Sequence, residues 1–338
     1  GATSNWHKDV AAVRKFRATE EGAKAYGYRG KVQMGMAQTN VLNHPPDITD
    51  PYDVSFTLPA ISKPATDEGI MMLSVLEMQS LLRAGELTSR ELTSIALGML
   101  EKYDAAYNMK EVDLTDLAYH YADKADAEFA KGNYNSFIQG IPFAIKDTFD
   151  VNGTVTMYGS FEYADNVVET ESPLVTYALK ALAVPLFKSS VPQLTWGHAN
   201  HNGVVYSCLN GGFSSGAKDS GGSSIGSGTG VCLGVVPVAI CEQTGSSCQA
   251  PAIANGISTI IPAHGTFSRA NTGIYSMESD RPGLLCRDIM SCAVFYNYMR
   301  GDGNDPLDPQ ARGVPFSDPE AEDLSTYTIG FADNSDNK

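Results

Sequence analysis

Apolar residues first recur with a clear period at Leu73, Leu76, Met78, Leu81 and Leu82, and the run stops at Gly85. That spacing predicts an amphipathic helix laid against a core. Thr88-Ser89-Arg90-Glu91 then has the form of a capping box, which predicts a second helix running to about Tyr103. A third helix, rich in alanine and charge, is predicted from about Leu114 to Ala130. The period then changes. Pro142-Phe143-Ala144-Ile145 is a short continuous apolar run ending on Lys146-Asp147, the pattern of a strand buried on both faces. Further apolar segments follow at 181–187, 235–241 and 256–261. Helices alternating with such runs predict an α/β core. Residues 1 to about 72 keep no sustained period, and Asn43-His44-Pro45-Pro46 through Pro51 is turn chemistry, so this part is expected to be an N-terminal extension wrapped on the core at 73–338.

Composition narrows the classes. The chain has 338 residues, is 43% hydrophobic and only 19% charged, which excludes a disordered polymer and a small disulfide scaffold. Its net charge of -15 repels phosphate backbones, so no nucleic acid is expected as a partner. No run of eighteen apolar residues occurs, and the first thirty residues hold no apolar signal core, so no membrane span is expected. The chain starts at Gly1 without Met, which suggests either processing or an imposed boundary at the N-terminus and leaves the compartment open. Six cysteines fall in one 85-residue stretch, from Cys208 through Cys232, Cys241, Cys248 and Cys286 to Cys292. With no CxxC and no framework spacing, they are expected to be mostly buried free thiols.

The least ordinary stretch is Gly211 to Gly230, where eight of twenty residues are glycine and six are serine. Read blandly it is a flexible linker, yet it runs straight into the core-like Val231-Cys232-Leu233. A phosphate loop would need Gly-Lys-Ser/Thr at its end, but the one lysine, Lys218, precedes the glycines. A dinucleotide fingerprint fails because Gly226 and Gly228 are followed by Val231. Gly222-Ser223-Ser224-Ile225-Gly226 matches a nucleophile elbow with Ser224 at its centre. That motif needs a strand directly ahead and a downstream histidine, for which only His264 qualifies.

Three segments taken together carry more. They are Gly140-Ile141-Pro142-Phe143-Ala144-Ile145-Lys146-Asp147, Gly221-Gly222-Ser223-Ser224, and Thr244-Gly245-Ser246-Ser247 with Pro251. In these the chain resembles the amidase signature family, the Ser-cisSer-Lys amidohydrolases. The resemblance extends over about residues 73 to 330, and the serines Ser223 and Ser247 are 24 residues apart, as is typical of that family. It implies an α/β fold with a mixed β-sheet core sandwiched between helices, here lacking the usual C-terminal portion. It also implies a hydrolase cleaving an amide carbon–nitrogen bond. Lys146 would be the base, Ser223, after a cis peptide bond, the proton relay, and Ser247 the nucleophile that forms an acyl-enzyme. Backbone N–H groups of Thr244, Gly245 and Ser246 would form the oxyanion hole with that of Ser247. No cofactor and no metal are implied, and the substrate is a small-molecule amide.

Two features depart from the family's pattern. Gln243 and Gln249 stand where the family carries an acid and an arginine, and Ser246 replaces a glycine. The paired loss of opposite charges reads as a compensated change. The chain also ends at Lys338, after a stretch from Asp302 to Asp336 with nine acids and one arginine, where the family continues. A second chain or fragment supplying that portion is one expectation. A non-catalytic structural or assembly subunit is the alternative to an enzyme, and an amidotransferase subunit working in a complex is a third reading. His198 and His201 could suggest a metal pair with Cys208, but polar cleft residues are the preferred reading.

Overall fold

The computed structural model describes residues 50–210 and 218–301 except 198 and 274, together with 305, 307–314, 316, 323–326 and 328. Helix α1 (Asp67–Met71) is capped by Thr66, and α2 (Val75–Ala84) by a reciprocal box in which Ser74 and Glu77 satisfy each other's backbone N–H. Gly85 ends α2 in the left-handed region at φ 72°, where a Cβ would be strained. Helix α3 (Ser89–Tyr107) starts on Thr88, whose hydroxyl accepts from the Glu91 N–H, and runs four residues beyond Tyr103 to Tyr107, where Asn108 caps it. Strand β1 (Lys110–Asp113), helix α4 (Thr115–Phe129) and strand β2 (Pro142–Lys146) follow. Then come α5 (Pro173–Lys180), β3 (Val184–Ser189), a two-residue pair β4 (Ala199–Asn200) and β5 (Gly203–Val204), and α6 (Ile225–Cys232). The described core closes with β6 (Val238–Gln243), α7 (Gln249–Asn255), β7 (Ser258–Ile260), β8 (Arg281–Cys286) and α8 (Ile289–Met299).

Six strands form one mixed sheet in the order β1-β3-β2-β6-β8-β7. The three central strands are parallel, with Phe143, Ala144 and Ile145 opposite Val238, Ala239 and Ile240, while β1, β8 and β7 join antiparallel. Every residue of β2, β3 and β6 is buried, which is why they read as unbroken apolar runs rather than alternating ones. Helix α6 packs on β2, β3, β6 and β8, and α8 packs on β7 and β8. The segment before α2 is joined to the same core: Phe56 is buried edge-on against Phe137 and Phe316.

The described end of the Gly/Ser stretch is core structure rather than a linker. Residues 211–217 lie outside the described part, but Ile225–Cys232 is a fully helical element. Its glycines let it come close to its neighbours: a Cβ on Gly226 would stand 2.3 Å from the Met109 carbonyl oxygen and 2.4 Å from the Ser190 nitrogen. The thiol expectation is also corrected. All six cysteines pair, as Cys208–Cys232, Cys241–Cys248 and Cys286–Cys292, with Cα atoms 6.0, 5.7 and 5.5 Å apart. Those separations lie within bridging range. They arise because the chain turns back on itself between the paired positions, which linear spacing does not reveal.

Candidate functional site

Lys146 is the last residue of β2 and is completely buried. Its Nζ donates to Ser223 Oγ at 2.9 Å, to the Glu242 carbonyl oxygen at 2.8 Å and to Glu242 Oε2 at 3.1 Å. Because β2 and β6 are parallel neighbours, their C-terminal ends lie on the same edge of the sheet, and this brings Lys146 to Glu242.

Ser223 enters on a cis Gly222–Ser223 peptide bond, just ahead of α6. The glycines before it answer to crowding: a Cβ on Gly221, at φ 69°, would meet the Ala250 carbonyl oxygen at 2.7 Å. Gly221 N–H donates to Asp219 Oδ1 at 2.8 Å, which fixes the turn. Ser247 lies on the loop between β6 and α7. That loop is joined to the cis-serine loop by the Ser224 N–H, which donates to the Ser247 carbonyl oxygen at 3.1 Å. Among the described residues no hydrogen bond links the Ser223 and Ser247 hydroxyls, so the two serines are brought together through backbone. Thr244, Gly245 and Ser246 are exposed on the same loop, and Ser247 is half-buried.

The loop is held at several points. Thr244 Oγ1 donates to Asp280 Oδ1 at 2.5 Å, and Gln243, buried, accepts from the Cys248 N–H through Oε1 at 3.3 Å. Gln243 thus does by amide what an acid could do by charge, and Gln249 is exposed at the start of α7. The Cys241–Cys248 disulfide ties the end of β6 to the start of α7. Beneath it lies Gly283 of β8, where a Cβ would be 3.3 and 3.4 Å from the two sulfurs.

Burial lowers the pKa of the Lys146 ammonium from the ordinary lysine value, and the carboxylates of Glu242 and Asp280 oppose that shift. Burial raises the Glu242 carboxyl, with Lys146 opposing and Asp280 reinforcing. On the neighbouring strand, Lys188 Nζ pairs with Asp147 Oδ1 at 2.8 Å, and both side chains are fully buried. Glu242, Asp280 and the disulfide were not singled out from sequence. An acid at the end of the otherwise apolar run Val238-Ala239-Ile240-Cys241 was the available signal.

The other candidates fall elsewhere. Ser224 is fully buried and among the described residues directly ahead of it, 218–223, no strand leads into it, so these residues do not form the elbow. His264 is engaged with the Met277 carbonyl and with Arg269. Cys208 is bonded to Cys232, His201 Nδ1 faces Glu111 Oε1 at 2.9 Å, and His198 lies outside the described residues.

The amidase family model matches residues 91–337, well over half of the chain. The chain belongs to the amidase family. Among curated proteins this amidase-family chain is similar to the A subunit of the glutamyl-tRNA(Gln) amidotransferase of Chromohalobacter salexigens, with 31% identity over 242 residues, 72% of this chain and 49% of that one. The corresponding protein of Marinobacter nauticus is 34% identical over 238 residues, covering 70% and 48%. Among solved structures, one described as a vestigial protein complex bearing on the origins of an s-triazine catabolic enzyme superposes with a TM-score of 0.68 at 26% identity, over 72% of this chain and 53% of that one. The peptide amidase of Stenotrophomonas maltophilia shares the fold, with a TM-score of 0.63 at 24% identity, over 73% and 51%. The amidase-family chain therefore spans about half the length of the curated relatives it matches.

Proposed function

We propose that this chain carries the acyl-transfer machinery of an amide hydrolase, with Ser247 as nucleophile, Ser223 as relay and Lys146 as base. The observation that carries the reading is the buried Lys146 Nζ placed 2.9 Å from the Ser223 Oγ, on a serine that follows a cis peptide bond. A lysine accepts a proton only when it is neutral, and burial favours the neutral form. Ser247 Oγ then attacks the amide carbonyl carbon as its proton passes to Ser223 Oγ and the Ser223 proton passes to Lys146 Nζ. The carbonyl electron pair moves onto oxygen, toward the backbone N–H groups of residues 244–247. When the carbon–nitrogen bond breaks, the proton returns along the same relay to the leaving amine. Water attacks the acyl-enzyme by the same route and frees the carboxylate.

The substrate class is a small-molecule amide. The similarity to amidotransferase A subunits supports the same amide-cleaving half-reaction with an acyl donor, performed within a complex. Fluorophosphonate labelling with peptide mapping tests the assignment. Label is expected on Ser247, and it should be lost in Ser247→Ala and in Lys146→Ala. A folded wild-type chain that takes no label, or takes it equally without Lys146, would refute the triad.

A further inference from the structure

Lys146 Nζ has three acceptors within reach, and one of them is ionisable. Glu242 is 3% exposed, its Oε2 lies 3.1 Å from Nζ, and its own backbone carbonyl takes a second Nζ hydrogen. The base of the proposed relay is therefore not an isolated amine in an apolar pocket. It is half of a buried pair whose partner is carried on the adjacent parallel strand.

We propose that Glu242 is a positioning residue that acts as the counter-ion of Lys146, holding the transferred proton on Nζ and setting the pH at which the Ser223 relay begins to operate. This rests on the triad reading above. The proton accounting is simple. With Glu242 ionised, the resting pair is an ammonium and a carboxylate, neutral in sum, and Lys146 cannot accept from Ser223. Loss of one proton to solvent leaves a neutral amine beside the carboxylate. That amine takes the Ser223 proton as Ser247 attacks, and the pair returns to its neutral sum at the moment of acylation. Glu242 thus delays onset of activity to higher pH and stabilises the ammonium formed during the step.

The surroundings, among the described residues, leave that task to Glu242. From β3, Lys188 is matched by Asp147 and faces Val155 and Thr156. The start of α6 contributes hydroxyls, those of Ser223 and Ser224. Ahead of β8, Asp280 bears on both members of the pair. Its oxygens are taken by Thr244 Oγ1 and by the N–H groups of Tyr275 and Ser276. Tyr275 is also coupled to the site, and burial holds its phenol protonated to higher pH.

The test reads the proton on Lys146 directly. Wild-type and Glu242→Gln proteins are labelled with [ε-13C]lysine, the Lys146 resonance is assigned with Lys146→Arg, and its chemical shift is followed against pH. The fluorophosphonate labelling rate of Ser247 is measured over the same range. The midpoint in Glu242→Gln is expected at least about one pH unit lower in both readouts, the size of shift produced when an opposite charge within a few ångströms is removed. Glu242→Asp, which keeps the charge, should restore most of the difference. Equal midpoints in wild type and Glu242→Gln would overturn the inference. Absence of label at every pH would instead sink the triad, and the Lys146 resonance would still decide the role of Glu242. If Glu242→Gln does not fold, the wild type suffices: an ammonium at pH 7 is expected, and a neutral amine there would overturn the proposal.

Discussion

Replacing Cys241 and Cys248 together by alanine isolates what their bond contributes to the loop that carries Ser247. The bond joins positions seven apart in sequence and encloses Glu242, Gln243 and residues 244–247. Closing a loop of that length restricts the unfolded chain by an entropy worth about 2.5 kcal/mol at room temperature. For a chain of 338 residues that corresponds to a fall of roughly 3 to 4 °C in Tm. The Cys286–Cys292 bond closes a loop of nearly the same length, with separation six, so its alanine pair should lose nearly the same stability. The two pairs should part in function. The first holds the loop that carries Ser247, whereas the second ties β8 to α8. Thermal unfolding of the two double variants, with fluorophosphonate labelling at a temperature where both are folded, tests this. Similar Tm losses are expected, with labelling slowed roughly tenfold or more only in the first, since small misplacements of a nucleophile are costly. Equal labelling in both variants would refute the positioning role. Alkylation of Cys241 or Cys248 in the unreduced, denatured wild type would refute the bond itself.

Three further predictions concern charge and crowding. Burial pushes the Glu111 carboxyl up to about 7, so the folded state binds a proton that the unfolded state has released above about pH 4.5. Stability should therefore fall as pH rises from 4.5 to 7, by about 3 kcal/mol, and Glu111→Gln should flatten that dependence in denaturant titrations; an unchanged slope would contradict it. Gly226→Ala places a Cβ against backbone at 2.3 and 2.4 Å and should destabilise by about 3 kcal/mol or prevent folding. Gly245→Ala, where a Cβ would meet nothing within 4 Å, should stay within about 0.5 kcal/mol of wild type by the same unfolding assay.

The parts of the fold legible in sequence were those whose pattern is local. The period at Leu73 to Leu82, the Gly85 stop and the apolar run at Phe143 to Ile145 each announce themselves, and all three elements form where expected. Helix α8 and strand β8 did not. Ile289–Met299 is apolar nearly all round because it is buried, and buried helices lose the amphipathic stripe. In β8 the Pro282-Gly283 pair reads as a turn, yet Gly283 is there because two sulfurs and the Ile260 carbonyl leave no room for a side chain. Lys146 and Ser223 were found by motif, and 77 residues separate the two partners of their hydrogen bond. Glu242 escaped because its meaning depends on which strand lies beside β6, and strand order is not written in any window of sequence. The cysteine pairings escaped for the same reason.

Sheet register gives the site its address. Ile145 stands opposite Ile240, and the chains run in the same direction, so the end of β2 at Lys146 lies beside the last residues of β6, Glu242 among them. Continued by one residue, that register sets Lys146 beside Cys241, and its Nζ reaches on to the carbonyl and carboxylate of Glu242; a one-residue slip, which turns every side chain of a strand to the other face, would disrupt that reach. An insertion within β2 or β6 would separate Lys146 from Glu242, whereas the edge strands β1 and β7 could lengthen without touching either. For anyone grafting or redesigning this scaffold, the sequence to leave untouched is the hydrogen-bonded ladder from Phe143 to Lys146 and from Val238 to Gln243, because the spacing of its rungs is what the chemistry counts on.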